Sequence, residues 1–212
     1  MEQEPKQGTE EWFAQRLGKF SASTFGDCMG NGKAKADNFT LTGLSLIREK
    51  ISERLTGQRT EISGKALDWG TDHEAEAIEF YEKQTGLRIN EAPFVPLENW
   101  EDDAGGSPDG FIEGENGIIE IKCPFISANH IAALIEHNIP KKSYTQYYTQ
   151  IQFNMMCTET DYCDFISYDP RMIDDKHKMF VLRIPRDEAY ITTIKEKLSL
   201  AIFEMKKILS NI

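Results

Sequence analysis

On a β-strand, residues two apart share a face, and Ile118-Ile119-Glu120-Ile121-Lys122-Cys123 places the Glu120 carboxylate and the Lys122 amine in that relation. Ile119, Ile121 and Cys123 take the other face. Eleven residues before Glu120, Ser107-Pro108-Asp109-Gly110 offers a second carboxylate, which a hairpin would bring beside the first. Two close carboxylates repel unless a cation intervenes, and an all-oxygen donor set favours Mg²⁺ or Mn²⁺ over Zn²⁺. Glu74 is a third acid, set in the middle of an otherwise apolar helical stripe of Leu67, Gly70, Ala77, Ile78 and Tyr81. It would join the other two if that helix packs over the strand. Plainer readings exist: Glu120 and Lys122 as a strand ion pair, Glu74 as a residue one position out of phase.

The elements that must position these groups are legible in part. Thr9 can cap a short helix carrying Trp12, Phe13 and Arg16, and Ser21 or Ser23 a second through Phe25 and Met29. A helix is expected over about 42–56, with Leu44, Ile47, Ile51 and Leu55 on one face and Gly57 as its stop. Another is expected over about 66–85, closed by Gly86. Residues 87–96 read as extended, with Pro93 and Pro96 favouring an edge. A hairpin of strands 109–113 and 118–123 follows, then helices from Ser127 to Glu136 and from Ser143 to Cys157. Strands over 162–168 and 179–184 precede a last helix over about 187–210, striped by Ile191, Ile194, Leu198, Ala201, Met205 and Ile208. Helices and strands mix without strict alternation and without a linker, so we expect one α/β domain over residues 1–212.

Composition removes several classes. The 24 basic and 35 acidic residues give a net charge of −11, which argues against coating nucleic acid by bulk electrostatics but leaves room for a local basic channel. Residues 101–120 hold seven carboxylates, and Glu101, Asp102 and Asp103 read equally well as a solvated acidic loop. No apolar run approaches the ~20 residues that span a bilayer, and no secretory signal opens the chain, so a cytoplasmic protein is expected. Cys28, Cys123, Cys157 and Cys163 form no C-x-x-C pair and read as reduced thiols. The four histidines form no ligand-spaced pair.

Taken together, P-D followed by E-x-K resembles the restriction-endonuclease-like nuclease superfamily, whose fold is a mixed central sheet flanked by helices. The resemblance narrows with E-W-F-A-Q-R-L-G-K-F-S-A-S (11–23), K-A-L-D-W-G-T-D-H-E-A-E-A (65–77), S-P-D-G (107–110), I-E-I-K-C-P-F (119–125), Y-T-Q-I-Q (148–152) and Y-D-P-R-M (168–172). In family order, these look like the phage lambda exonuclease family of viral recombinases.

That resemblance implies a phage- or prophage-encoded enzyme in a bacterial host. It would digest duplex DNA from a 5′ end with two Mg²⁺ ions, for which Mn²⁺ can substitute, leaving a 3′ strand for a single-strand annealing partner. By motif, Asp109, Glu120 and the Ile121 carbonyl would be metal ligands, and Glu74 would hold the second metal or its water. Lys122 would orient or deprotonate the attacking water, and Gln150 would position it, although a helix-surface amide is the plainer reading of Gln150. Arg16, Ser23 and Ser107 match the family's 5′-phosphate pocket. The resemblance also implies a homotrimeric ring, with Lys19, Lys33, Lys35 and Arg54 as candidates for lining its channel. One departure is the absence of an arginine in Ile126-Ser127-Ala128-Asn129, where relatives carry one. The cysteines lack the clustered carboxy-terminal group of iron-sulfur nucleases. The rival readings are a structure-specific endonuclease and a non-catalytic DNA-binding or assembly module.

Overall fold

The computed structural model describes residues 5–34, 37–60 and 64–212. Helix α1 (Glu10–Arg16) starts at Thr9, whose side chain accepts the Trp12 N–H, and carries Glu10 and Glu11 at its positive end. Strand β1 (Phe20–Ser21) leads directly into α2 (Ala22–Phe25), which tightens into a 3₁₀ turn through Cys28. Ser21 occupies the cap position of α2 but makes no capping bond there. Helices α3 (Leu41–Thr56) and α4 (Lys65–Thr85) end at Gly57 and Gly86, both left-handed, where a Cβ would be strained. Leu55 departs from the expected core stripe of α3 and is 61% exposed. The buried side turns instead through Leu46, Lys50 and Glu53, because Lys50 and Glu53 neutralise one another there.

The extended segment 87–96 is divided between two sheets, with β2 (Ile89–Asn90) in one and β3 (Val95–Pro96) in the other. Strands β4 (Ala104–Gly106), β5 (Gly110–Ile112) and β6 (Gly117–Lys122) follow, then α5 (Ser127–Glu136) and α6 (Tyr144–Thr158). The chain finishes with β7 (Tyr162–Tyr168), β8 (Met179–Pro185) and α7 (Glu188–Leu209). The larger sheet has the order β2-β5-β6-β7-β8 and is mixed: β6 and β7 run parallel, while the other neighbours are antiparallel. The smaller sheet, β1-β4-β3, was not anticipated; it joins Phe20 to Ala104 and Val95 to Gly106.

Strand β6 sits at the centre of the larger sheet and is buried on both faces. Ile119, Ile121 and Cys123 pack with Ala77 and Tyr81 of α4, whereas Ile118 packs with Ile151 and Met155 of α6. A third cluster joins Phe20, Phe25, Ile47, Phe153, Leu198 and Met205, so α6 contributes to the core on two sides. All four cysteines are free and buried. Among the described residues, no helix is long and apolar enough to cross a membrane.

Candidate active site

The alternation of β6 turns Glu120 and Lys122 toward α6. Glu120 is fully buried; its Oε1 accepts from Lys122 Nζ at 2.6 Å and its Oε2 from Asn154 Nδ2 at 3.0 Å. Lys122 Nζ also donates to Gln150 Oε1 at 3.1 Å and lies 5.2 Å from the Tyr147 ring. Gln150, only 8% exposed, is therefore not a surface amide. Gln150 and Asn154 are one helical turn apart and hold the two ends of Glu120-Ile121-Lys122.

Asp109 precedes β5 and reaches across the hairpin, its Oδ2 accepting the Ile121 N–H at 2.6 Å. Burial drives its pKa well up, and the charges of Glu120 and Glu74 push the same way, against Lys122 and the Ile121 N–H. Glu74, on the first half of α4, is raised by burial and by Glu120. For Lys122, burial alone would lower the pKa, but Glu120 and Asp109 outweigh it and hold the ammonium charged. Among the described residues, no three Asp, Glu, His or Cys side chains already stand together as a ligand set. Both oxygens of Glu120 and the Oδ2 of Asp109 are engaged in hydrogen bonds. The donor chemistry nonetheless fits a hard divalent cation: oxygen ligands whose mutual repulsion such an ion would relieve.

A second group lies nearby. Arg16 Nη2 donates to Ser23 Oγ at 3.2 Å, and its guanidinium lies 4.1 Å from the Trp12 ring centroid. Trp12 Nε1 donates to Ser107 Oγ at 3.1 Å, so Trp12, missed in the sequence, links Arg16 and Ser23 to the Ser107-Pro108-Asp109 segment. Burial lowers the Arg16 pKa to about 10, opposed by Glu53 and Glu120, whose field reaches it. The Arg16-Leu17-Gly18 turn is gripped by α3: Gly18 N–H donates to Glu53 Oε2 at 2.9 Å, and its carbonyl accepts from Arg54 Nε at 2.8 Å.

Two expectations change here. Arg54 does not offer a free guanidinium to a channel, being bound to Gly18, Asp102 and Asp103. Asp103 is not solvated: it is 4% exposed and pairs with Arg54 and Lys206. Lys19 lies 5.5 Å from the Phe94 ring and Lys33 is exposed, while Lys35 falls outside the described residues. Arg171 reaches the Pro124-Phe125 segment, but as a brace whose guanidinium is engaged by the protein itself. Arg171 donates to the carbonyls of Pro124 and Phe125 at 2.9 Å, pairs with Asp169 and lies 4.3 Å from the Trp69 ring.

Comparison with known proteins places this arrangement. The chain belongs to the YqaJ-like viral recombinase domain family, whose model matches residues 11–161. It is 36% identical to an alkaline exonuclease, LHK-Exo, from Laribacter hongkongensis, covering 96% of this chain and 95% of that one with a TM-score of 0.83. A structure of LHK-Exo in complex with dAMP matches at 37% identity over the same shares, with a TM-score of 0.84. A phage-related exonuclease from Haemophilus somnus 129PT shares the fold at 21% identity, covering 91% and 96% of the two chains with a TM-score of 0.76. Among proteins of curated function, none gave a significant match. The fold is the restriction-endonuclease-like mixed α/β fold of these exonucleases, and the family is one of nucleases acting in viral recombination.

Proposed function

We propose that the protein is a metal-dependent 5′-to-3′ exonuclease. It digests linear double-stranded DNA and leaves 3′ single-stranded overhangs for recombination by strand annealing. The observation that carries this reading is the chain of contacts from the Arg16-Ser23 pair through Trp12 to Ser107, two residues before Asp109. A terminal phosphate held by Arg16, Ser23 and Ser107 would lie beside the reacting groups, as an end-directed enzyme requires. The complex of LHK-Exo with dAMP is consistent with this, since release of mononucleotides is what stepwise trimming yields.

Two Mg²⁺ ions, replaceable by Mn²⁺, would be held by Asp109, Glu120, the Ile121 carbonyl and Glu74. Such ions make water nucleophilic near neutral pH and neutralise the leaving 3′ oxygen. The chain's own groups do the rest. Lys122, kept charged by its two acidic neighbours, orients the attacking water and supplies positive charge where the phosphorane-like transition state is most negative. Gln150 fixes the Lys122 ammonium, and Arg16 clamps the end phosphate with a rigid fork of donors.

At a net charge of −11, sustained attachment to DNA is better served by enclosure than by a broad basic face. We therefore propose a homotrimeric ring around the duplex, and membership of the viral recombinase family supports an annealing recombinase as partner and the cytoplasm of a bacterial host as the setting. Linear and covalently closed duplexes incubated with Mg²⁺, with and without EDTA, test the reading. Only the linear form should be degraded, and only with metal. Cutting of the closed form would indicate a structure-specific endonuclease, and inertness toward both a binding module.

A further inference from the structure

We infer that Asn154 is a positioning residue for Glu120, and that glycine at position 106 makes the room it needs; the inference rests on the nuclease reading above. Asn154 is fully buried on α6 among Phe153, Met155 and Met156, a setting that suits an apolar side chain. Its Nδ2 donates to Glu120 Oε2 at 3.0 Å, while its Oδ1 is buried with no partner. Only the NH₂ end of an amide can face a carboxylate, so Glu120 sets the orientation that strands the carbonyl. A half-satisfied buried amide weakens the fold, and its one hydrogen-bonded contact is with the carboxylate.

The opposite wall is Gly106, next to Ser107-Pro108-Asp109. A Cβ there would lie 2.6 Å from Asn154 Oδ1, and 3.3 Å from Cys157 Cβ and Sγ. Any side chain at 106 therefore drives the amide off its seat. With Lys122 on Oε1 and Asn154 on Oε2, both oxygens of Glu120 have a fixed direction. Without the amide, the second oxygen has no partner and the carboxylate no single orientation.

The test is a cycle of Asn154→Leu, Gly106→Ala and the double variant, read by nuclease kinetics, Mn²⁺ calorimetry and thermal midpoint. We expect Asn154→Leu to lower kcat about ten- to a hundredfold, the range for loss of a hydrogen bond to a charged group. KM for duplex ends should hold, Mn²⁺ affinity should fall, and the midpoint should change little. Gly106→Ala should reproduce the kcat loss in the wild-type background and add no further loss of kcat to Asn154→Leu, since the amide contact with Glu120 is already gone, although the leucine methyl in the place of Oδ1 keeps the steric clash and the midpoint of the double variant should fall. Wild-type kcat and Mn²⁺ affinity in Asn154→Leu, a lowered midpoint with unchanged kcat, or an equal loss of kcat from Gly106→Ala in both backgrounds would overturn the inference. A wild-type protein that neither binds Mn²⁺ nor cleaves DNA would instead remove the nuclease reading, and this inference with it.

Discussion

Replacing Lys122 by alanine separates chemistry from folding. Its ammonium lies 2.6 Å from Glu120 Oε1, and the two side chains are 23% and 0% exposed. Alanine would leave a buried carboxylate with Asn154 as its remaining side-chain donor. Removing one partner of a buried pair costs ~3–5 kcal/mol, and partial exposure of the lysine places this case near ~3 kcal/mol. For a chain of this size that is a fall of roughly 6–12 °C in thermal midpoint. A divalent ion can stand in for the lost charge, and Mn²⁺ at ~100 times its Kd would contribute about 2.7 kcal/mol. Scanning calorimetry with and without Mn²⁺, beside a duplex degradation assay, reads all three effects. We expect cleavage at background, a lowered midpoint without metal, and its near recovery with Mn²⁺. Wild-type turnover would refute the catalytic role, and an unmoved midpoint without metal would refute the electrostatic reasoning.

Asp109→Ala should lose both cleavage and stoichiometric Mn²⁺ binding in calorimetry, in contrast to Lys122→Ala; retained binding would remove Asp109 from the ligand set. Arg16→Ala should reduce the preference for 5′-phosphorylated over 5′-hydroxyl ends by about ten- to a hundredfold, the effect of losing a charge-assisted contact. Equal loss on both ends would make Arg16 structural. Light scattering should give a mass near three subunits, and digestion should continue on engaged DNA after excess competitor is added. An active monomer would exclude the ring while leaving the chemistry intact.

The parts of the fold legible in the sequence are those governed by local pattern. Gly57 and Gly86 mark helix ends by their left-handed backbone, and the period of two in 118–123 separated Glu120 and Lys122 from Ile119 and Ile121. The smaller sheet was not legible, since two- or three-residue strands carry no periodicity and Phe20 pairs with a residue 84 positions away. Asp103 looked like part of a solvated run because its partners, Arg54 and Lys206, lie 49 and 103 positions away. Helix α6 hid its burial behind Thr149, Gln150, Gln152 and Asn154, polar groups whose partners come from other elements. The spacing of Gln150 and Asn154 by one turn was the available signal for the second amide. Trp12 stands in the same relation to Arg16.

The most direct measurement is a time course on linear duplexes carrying a 5′-terminal phosphate, labelled at the 5′ end or at the 3′ end, in Mg²⁺. We expect the 5′ label to be released at once as a mononucleotide, while the 3′ label stays on a strand left single by digestion of its partner. Release of the 3′ label first, or of neither label while Mn²⁺ still binds, would contradict a 5′-directed exonuclease built on Asp109, Glu120, Lys122 and Arg16.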